Sequence, residues 1–283
     1  MKKILSGFLL IVLIIPGCAS RQKTKDPVLT QSTQGAPGSA SGEVAIGEQI
    51  HQQITSSFHV YTEPRMVNYL NKVGSSLSPF AERQDLPYRF TLLYSEKIYA
   101  TSAPGGYIYL TTGMINFLDN EAELAAVIAH EIGQLQYHDP RLSRARKVLE
   151  AITRTGATVG PAFGQIGALA AIGLVMVNAL VDKQHAKTPA DRIQESDNRA
   201  LHYMIEAGYD PQGMIDLLYK FLNANDAVIP YFYDYYQSHP ITEERFHRVQ
   251  DEFSKLPLQD KTFSTKHELY MEITKGVREI YKQ

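Results

Sequence analysis

The chain is 283 residues long, with 28 Lys+Arg against 30 Asp+Glu and a formal net charge of -2. That balance excludes a general basic surface for nucleic acid, because a phosphate polyanion requires a strong cationic excess. With 44% hydrophobic and 20% charged residues the chain is globular rather than disordered, and its single cysteine, Cys18, closes no intrachain disulfide and builds no cysteine-rich metal site.

Lys2 and Lys3 form a short basic start, followed by an almost wholly apolar stretch at 4–15. That stretch is too short for a spanning helix, which needs about 20 residues, and suits the apolar core of a secretory signal. Ile15-Pro16-Gly17-Cys18 resembles the lipobox of bacterial lipoproteins, which places a lipid on Cys18 and makes residues 1–17 a removable signal peptide. Residues 18–42 are rich in Ser, Gln, Thr, Gly, Ala and Pro and read as a lipid-anchored flexible tether, since they bury too little apolar surface to offset the entropy of ordering. Residues 43–283 form the folded domain. Ala19 after the cysteine favours an outer-membrane anchor facing the periplasm.

Helical periodicity runs through 43–58 and 63–78, where Val67, Leu70, Val73 and Leu77 recur at helical spacing. A strand is expected at 88–94, a turn at Pro104-Gly105-Gly106 and a second strand at 107–110. Asn120, with Glu123 three residues on, has the form of a capping box and opens a strong helix that ends near His138. Further helices are expected at 141–154, 162–181, 191–206, 211–223, 241–255 and 265–281. The fold class is therefore α+β, mostly helical, with a small β-sheet. Residues 155–181 carry no charged side chain, yet their glycines, Pro161, Gln165 and Asn178 favour a buried helix or a mobile lid over a membrane span.

The helix at 120–138 contains His130-Glu131-Ile132-Gly133-Gln134. Zinc proteases use H-E-x-x-H, in which two histidines one helical turn apart reach one ion and the glutamate activates a metal-bound water. Here Gln134 stands at the second histidine. The run from Tyr88 to Gly133, with Asp197, Ala207-Gly208-Tyr209-Asp210-Pro211, Ser238-His239-Pro240 and Arg245 following in order, resembles the CAAX-prenyl-protease-like zinc metallopeptidases, especially their periplasmic lipoprotein members.

The resemblance implies a gluzincin-like metallopeptidase domain with a metal-motif helix, a zinc cofactor, and a polypeptide substrate or client in the envelope, with outer-membrane assembly components as candidate partners. It implies His130 as a metal ligand, Glu131 as the catalytic base, Asp197 as the residue that orients a ligating histidine, and His239 as a residue that approaches the metal. It also implies an edge strand, here Gly105, Gly106, Tyr107, Ile108 and Tyr109, that pairs with extended peptide by strand addition. The family's third ligand is the first glutamate of its second motif, four residues before the aspartate; in this chain that position is Ile193. Glu195, about 200° round the helix from Ile193, is expected to face away. With Gln134 and Ile193 at two ligand positions, zinc is expected to be weak or absent, Glu131 to be vestigial, and the protein to be a pseudoprotease. The alternative is an active endopeptidase with a rearranged site built on His130 and His239, with His185 as a further candidate. The tyrosines at 231, 233, 235 and 236 are expected to pack a loop.

Overall fold

The computed structural model describes residues 40–136, 189–259 and 261–282, all of them inside the unit Gln34–Gln283. Helix α1 (Ala40–Ser57) is followed by α2 (Pro64–Leu77). Glu63 caps α2 by accepting from the N–H groups of Arg65 and Met66, and Pro64 opens the helix where its missing N–H costs nothing. Leu70, Val73 and Leu77 are buried as the spacing predicts, Val67 is only half-buried, and Met66 and Tyr69 complete the stripe, each large apolar side chain contributing about 1.5–3 kcal/mol on full burial.

The sheet has three strands, β1 (Arg89–Leu93), β2 (Ala100–Ala103) and β3 (Tyr107–Thr111), in the order β1-β3-β2. β1 runs parallel to β3 from Arg89↔Tyr107 to Leu93↔Thr111, and β2 runs antiparallel to it from Ala100↔Leu110 to Ala103↔Tyr107. β3 is therefore the central strand, and this corrects the expectation that Gly105, Gly106, Tyr107, Ile108 and Tyr109 form a peptide-binding edge. Both sides of β3 are paired within the chain, so its backbone has no free ladder to offer a peptide. The preceding turn is taken as well: Gly105 and Gly106 adopt φ values of 80° and 87°, Gly105 donates to Glu43 of α1 at 3.2 Å, and a Cβ on Gly47 of α1 would lie 2.0 Å from the Pro104 carbonyl oxygen. The Tyr107 hydroxyl donates to Glu48, and the Tyr109 hydroxyl lies 2.9 Å from His51 Nδ1, so α1 occupies the side chains of β3 too. Among the described residues the sheet's two edges are β1, whose outer side carries an isolated bridge from Leu93 to Val60, and β2.

The helices after the sheet are α3 (Thr112–Phe117), α4 (Glu121–Gln134), α5 (Pro189–Glu206), α6 (Gln212–Leu222), α7 (Ile229–Ser238), α8 (Glu243–Ser254), α9 (His267–Ile273) and α10 (Lys275–Ile280). The Asn120 side chain caps α4 by accepting from Glu123 N–H at 2.9 Å, while Glu123 reaches back to Asp119 N–H at 3.0 Å, one residue earlier than a strict capping box. Every residue from Glu121 to Gly133 is buried. α4 packs chiefly on α5 and also meets α2, α6 and β2, so it is the hub of the core.

Three sequence expectations change. β2 is a strand although Ala-Thr-Ser-Ala shows no alternation, because both its faces are buried. The tyrosine cluster is the helix α7, not a loop, with Pro230 in its first turn. The stretch 265–281 is two helices divided at Thr274. The expected helices at 141–154 and 162–181 and the uncharged stretch 155–181 lie outside the described residues. No helix among the described residues is long and apolar enough to cross a membrane.

Candidate functional site

His130 and Glu131 project from the middle of α4 and are 2% and 0% exposed. Gly133 lets α5 close on α4, since a Cβ there would stand 2.9 Å from the Ser196 carbonyl oxygen. That approach brings Asp197 to His130, whose Nδ1 lies 2.7 Å from Asp197 Oδ1. Arg245, in the first turn of α8, grips the same carboxylate with Nε and Nη2, each at 2.8 Å. The fork-on-carboxylate geometry is what a buried ion pair requires to offset its desolvation. Burial alone would raise the Asp197 carboxyl; the Arg245 guanidinium and His130 overcome it and hold the group far below the ordinary carboxylate range. An ionised Asp197 accepts only, so His130 donates from Nδ1 and turns its Nε2 into the site.

His239 arrives from the C-terminal end of α7, where its N–H bonds the Tyr235 carbonyl at 2.7 Å. Its ring stacks on Tyr235 at 4.3 Å between centroids and meets His130 edge-on at 5.4 Å. Nδ1 lies 2.9 Å from Ser238 Oγ, whose hydroxyl donates to the Tyr235 carbonyl at 3.1 Å. Burial pushes the His239 imidazole below its ordinary pKa, against the raising pull of Glu131. Burial also opposes charge on Glu131, but His239 and His130 more than offset it and hold that carboxyl below its ordinary value. The two groups are coupled, since the pull that lowers Glu131 comes chiefly from His239. His239 Nε2 stands 3.1 Å from Glu131 Oε1, and the Ser102 side chain also favours the ionised carboxylate.

The remaining neighbour is Gln134. Its Nε2 lies 3.2 Å from His130 Nε2 and 2.7 Å from His239 Nε2. Ile193 is buried on α5, one turn before Asp197 and on the same helix face, and it brings no donor atom. Glu195 points elsewhere and pairs with Arg199 at 3.6 Å, as its angular position predicts. His138 and His185 lie outside the described residues. His130, Glu131 and His239 do offer three ligating atoms within 4.8 Å of one another. As a hydrolytic zinc centre this set does not fit: counting Glu131 as the third ligand leaves no base, and keeping it as base leaves two imidazoles.

The motif spacing makes His130, Glu131, Asp197 and Arg245 legible in the sequence, and His239 follows from its own motif. The meeting of Gln134 with His239 carries no such signal, because the two are far apart in the chain. Beside this cluster, Phe221, Leu222, Ile229, Phe232, Tyr233 and Tyr236 line a hollow of about 280 Å³. Tyr231 and Tyr233 are 42% and 56% exposed nearby. Of the four clustered tyrosines only Tyr235 is buried; it stacks between His239 and Phe221.

Residues 64–252 match the model of peptidase family M48. The chain is 27% identical over 197 residues to the beta-barrel assembly-enhancing protease of Yersinia pestis, an alignment covering 67% of this chain and 39% of that protein. The protein of the same name from Escherichia coli (strain K12) is also 27% identical, over 68% of this chain and 40% of its own length. A putative beta-barrel assembly-enhancing protease of Vibrio cholerae is 24% identical over 217 residues, 73% of this chain and 44% of that protein. The chain thus spans about two fifths of the length of these relatives. On a family match that covers well over half of its residues, in a fold whose central helix carries His130 and Glu131, the chain belongs to peptidase family M48.

Proposed function

We propose that this protein is a pseudoprotease of the bacterial cell envelope, anchored by a lipid on Cys18 in the outer membrane and facing the periplasm, that binds polypeptide without cleaving it. The observation that carries the reading is the pair of replaced ligand positions: Gln134 places an amide nitrogen against both imidazoles, and Ile193 offers nothing to an ion. Glu131 then has no metal-bound water to activate. The names of the relatives support clients or partners among outer-membrane assembly components.

Polypeptide binding draws support from the hollow beside α7, whose aromatic lining suits an apolar side chain of an extended segment. β2, an edge strand whose approach at Ile98 bonds Tyr231 of α7, offers a backbone ladder beside that hollow. Reduced, unfolded casein is expected to bind the wild type and to survive intact. The double change Tyr233→Ala with Tyr236→Ala is expected to weaken that binding by about tenfold, the worth of roughly 1.4 kcal/mol of aromatic contact. Unchanged affinity in that variant would contradict the assignment of the hollow.

A second reading is favoured by one observation, the approach of His130, Glu131 and His239 to within 4.8 Å. It makes the chain a zinc metalloendopeptidase of envelope protein quality control with a rearranged metal set. The two readings part on chelator-sensitive cleavage, which only the second requires.

A further inference from the structure

The inference concerns Gln134 and rests on the reading of the site as metal-free. In a metal centre the ion joins imidazoles that would otherwise expose bare nitrogens to each other. Here two such nitrogens face one another in a buried space, and one side chain stands between them. We infer that Gln134 has taken the place of the ion, its amide donating one hydrogen to His130 Nε2 and the other to His239 Nε2, so that the turn after α7 is tied to α4 without a metal.

The orientation of the amide follows from the partners around it. Asp197 accepts from His130 Nδ1 at 2.7 Å, which leaves Nε2 as an acceptor. Ser238 Oγ, within donating distance of the Tyr235 carbonyl at 3.1 Å, stands 2.9 Å from His239 Nδ1, and a proton on that nitrogen leaves His239 Nε2 as an acceptor as well. Two acceptors at 3.2 and 2.7 Å from one atom require a group with two hydrogens, and the amide NH2 is that group. Glutamate or methionine at this position supplies neither hydrogen. The bridge joins the two imidazoles and makes no contact with Glu131, whose Oε1 faces His239 Nε2 at 3.1 Å.

The arrangement also says what restores a metal. His239 already stands at the site, so an imidazole at position 134, one turn from His130 on the same face, completes a set of three histidines. Glu131 stays free in that set, and no ligand is required from position 193. Gln134→His alone is therefore sufficient, and Ile193→Glu is not required.

The test uses the detergent-solubilised full chain, measured for metal content, for cobalt(II) absorption and for thermal midpoint in EDTA and in excess zinc. The wild type is expected to purify without stoichiometric metal and to show the same midpoint in both media. Gln134→Leu, and Gln134→Met should the first variant fail to fold, are expected to lower the midpoint by several degrees in both. Gln134→His is expected to bind one cobalt or zinc per chain and to gain a zinc-dependent rise in midpoint. Adding His239→Ala to it is expected to weaken cobalt binding by about 100-fold or more, beyond the usual cost of losing a partner outside the ligand set. Wild type that retains one zinc per chain overturns the metal-free reading itself. Wild type without zinc, together with apolar variants as stable as the wild type, overturns the bridge alone. So does a Gln134→His protein that ignores His239→Ala, or one that binds metal only after Ile193→Glu is added.

Discussion

Arg245 and Asp197 are fully or nearly fully buried charges, and the position of His130 depends on them. Removing one partner of such a pair strands the other, which costs more than the pair is worth: about 3–5 kcal/mol for Arg245→Met by urea unfolding. The double change Arg245→Met with Asp197→Asn should recover part of that loss, and equal losses in both would contradict the pairing. The pH dependence has a fixed sign. Asp197 is held far below the ordinary carboxylate range, so its stabilisation is present above about pH 3.9 and is lost as pH falls toward the folded value. His239 is pushed below its ordinary value by burial, so below about pH 6.5 the unfolded chain takes up a proton first and stability falls in the same direction. His51, also lowered by burial, adds in the same sense. Urea midpoints should therefore decline from pH 7.5 to pH 5.5, and His239→Gln should flatten that decline; an unchanged slope would contradict the lowering of His239 by burial. At this scale the sequence is most informative where a motif fixes spacing, as for His130 and Glu131. It is silent on the meeting of Gln134 with His239, which depends on how α7 is laid against α4.

Element boundaries were most legible where one face is apolar and the other polar. α2 and α6 show that contrast, and the expected and observed spans agree closely. β2 does not, since all four of its residues are buried and no alternation betrays a strand. Strand order was beyond reach as well: an edge and a centre strand can share the same apolar sequence, and Tyr107-Ile108-Tyr109 proved to be the centre. β1 and β2 pair on its two sides, and α1 covers the Pro-Gly-Gly turn that precedes it. Gly47 is the contact that permits this cover. Gly47→Ala gains about 1 kcal/mol of helix propensity, but its Cβ would stand 2.0 Å from the Pro104 carbonyl oxygen. Overpacking against rigid backbone costs about 1–3 kcal/mol, so the clash wins. Hydrogen exchange in α1 should accelerate in Gly47→Ala; protection equal to the wild type would show that α1 does not seat on the turn as described.

For the whole molecule, family and fold were legible together, because the motifs follow one another in the order that builds a sheet, a metal-motif helix and a facing helix. Activity was not, since in the proposed reading it turns on two side chains, Gln134 and Ile193. The relatives are more than twice as long as the stretch they share with this chain, so what their remaining length does is not transferred with the fold. Membrane attachment in the proposed account falls to Cys18, and Cys18→Ser should release the protein from the membrane fraction. The central claim is that an M48 fold persists here without its metal. The most direct measurement is zinc content of the full-length protein purified without chelator, paired with casein cleavage by wild type and Glu131→Gln. The account predicts no stoichiometric zinc and no cleavage by either protein. One zinc per chain, with cleavage that disappears in Glu131→Gln, would contradict it.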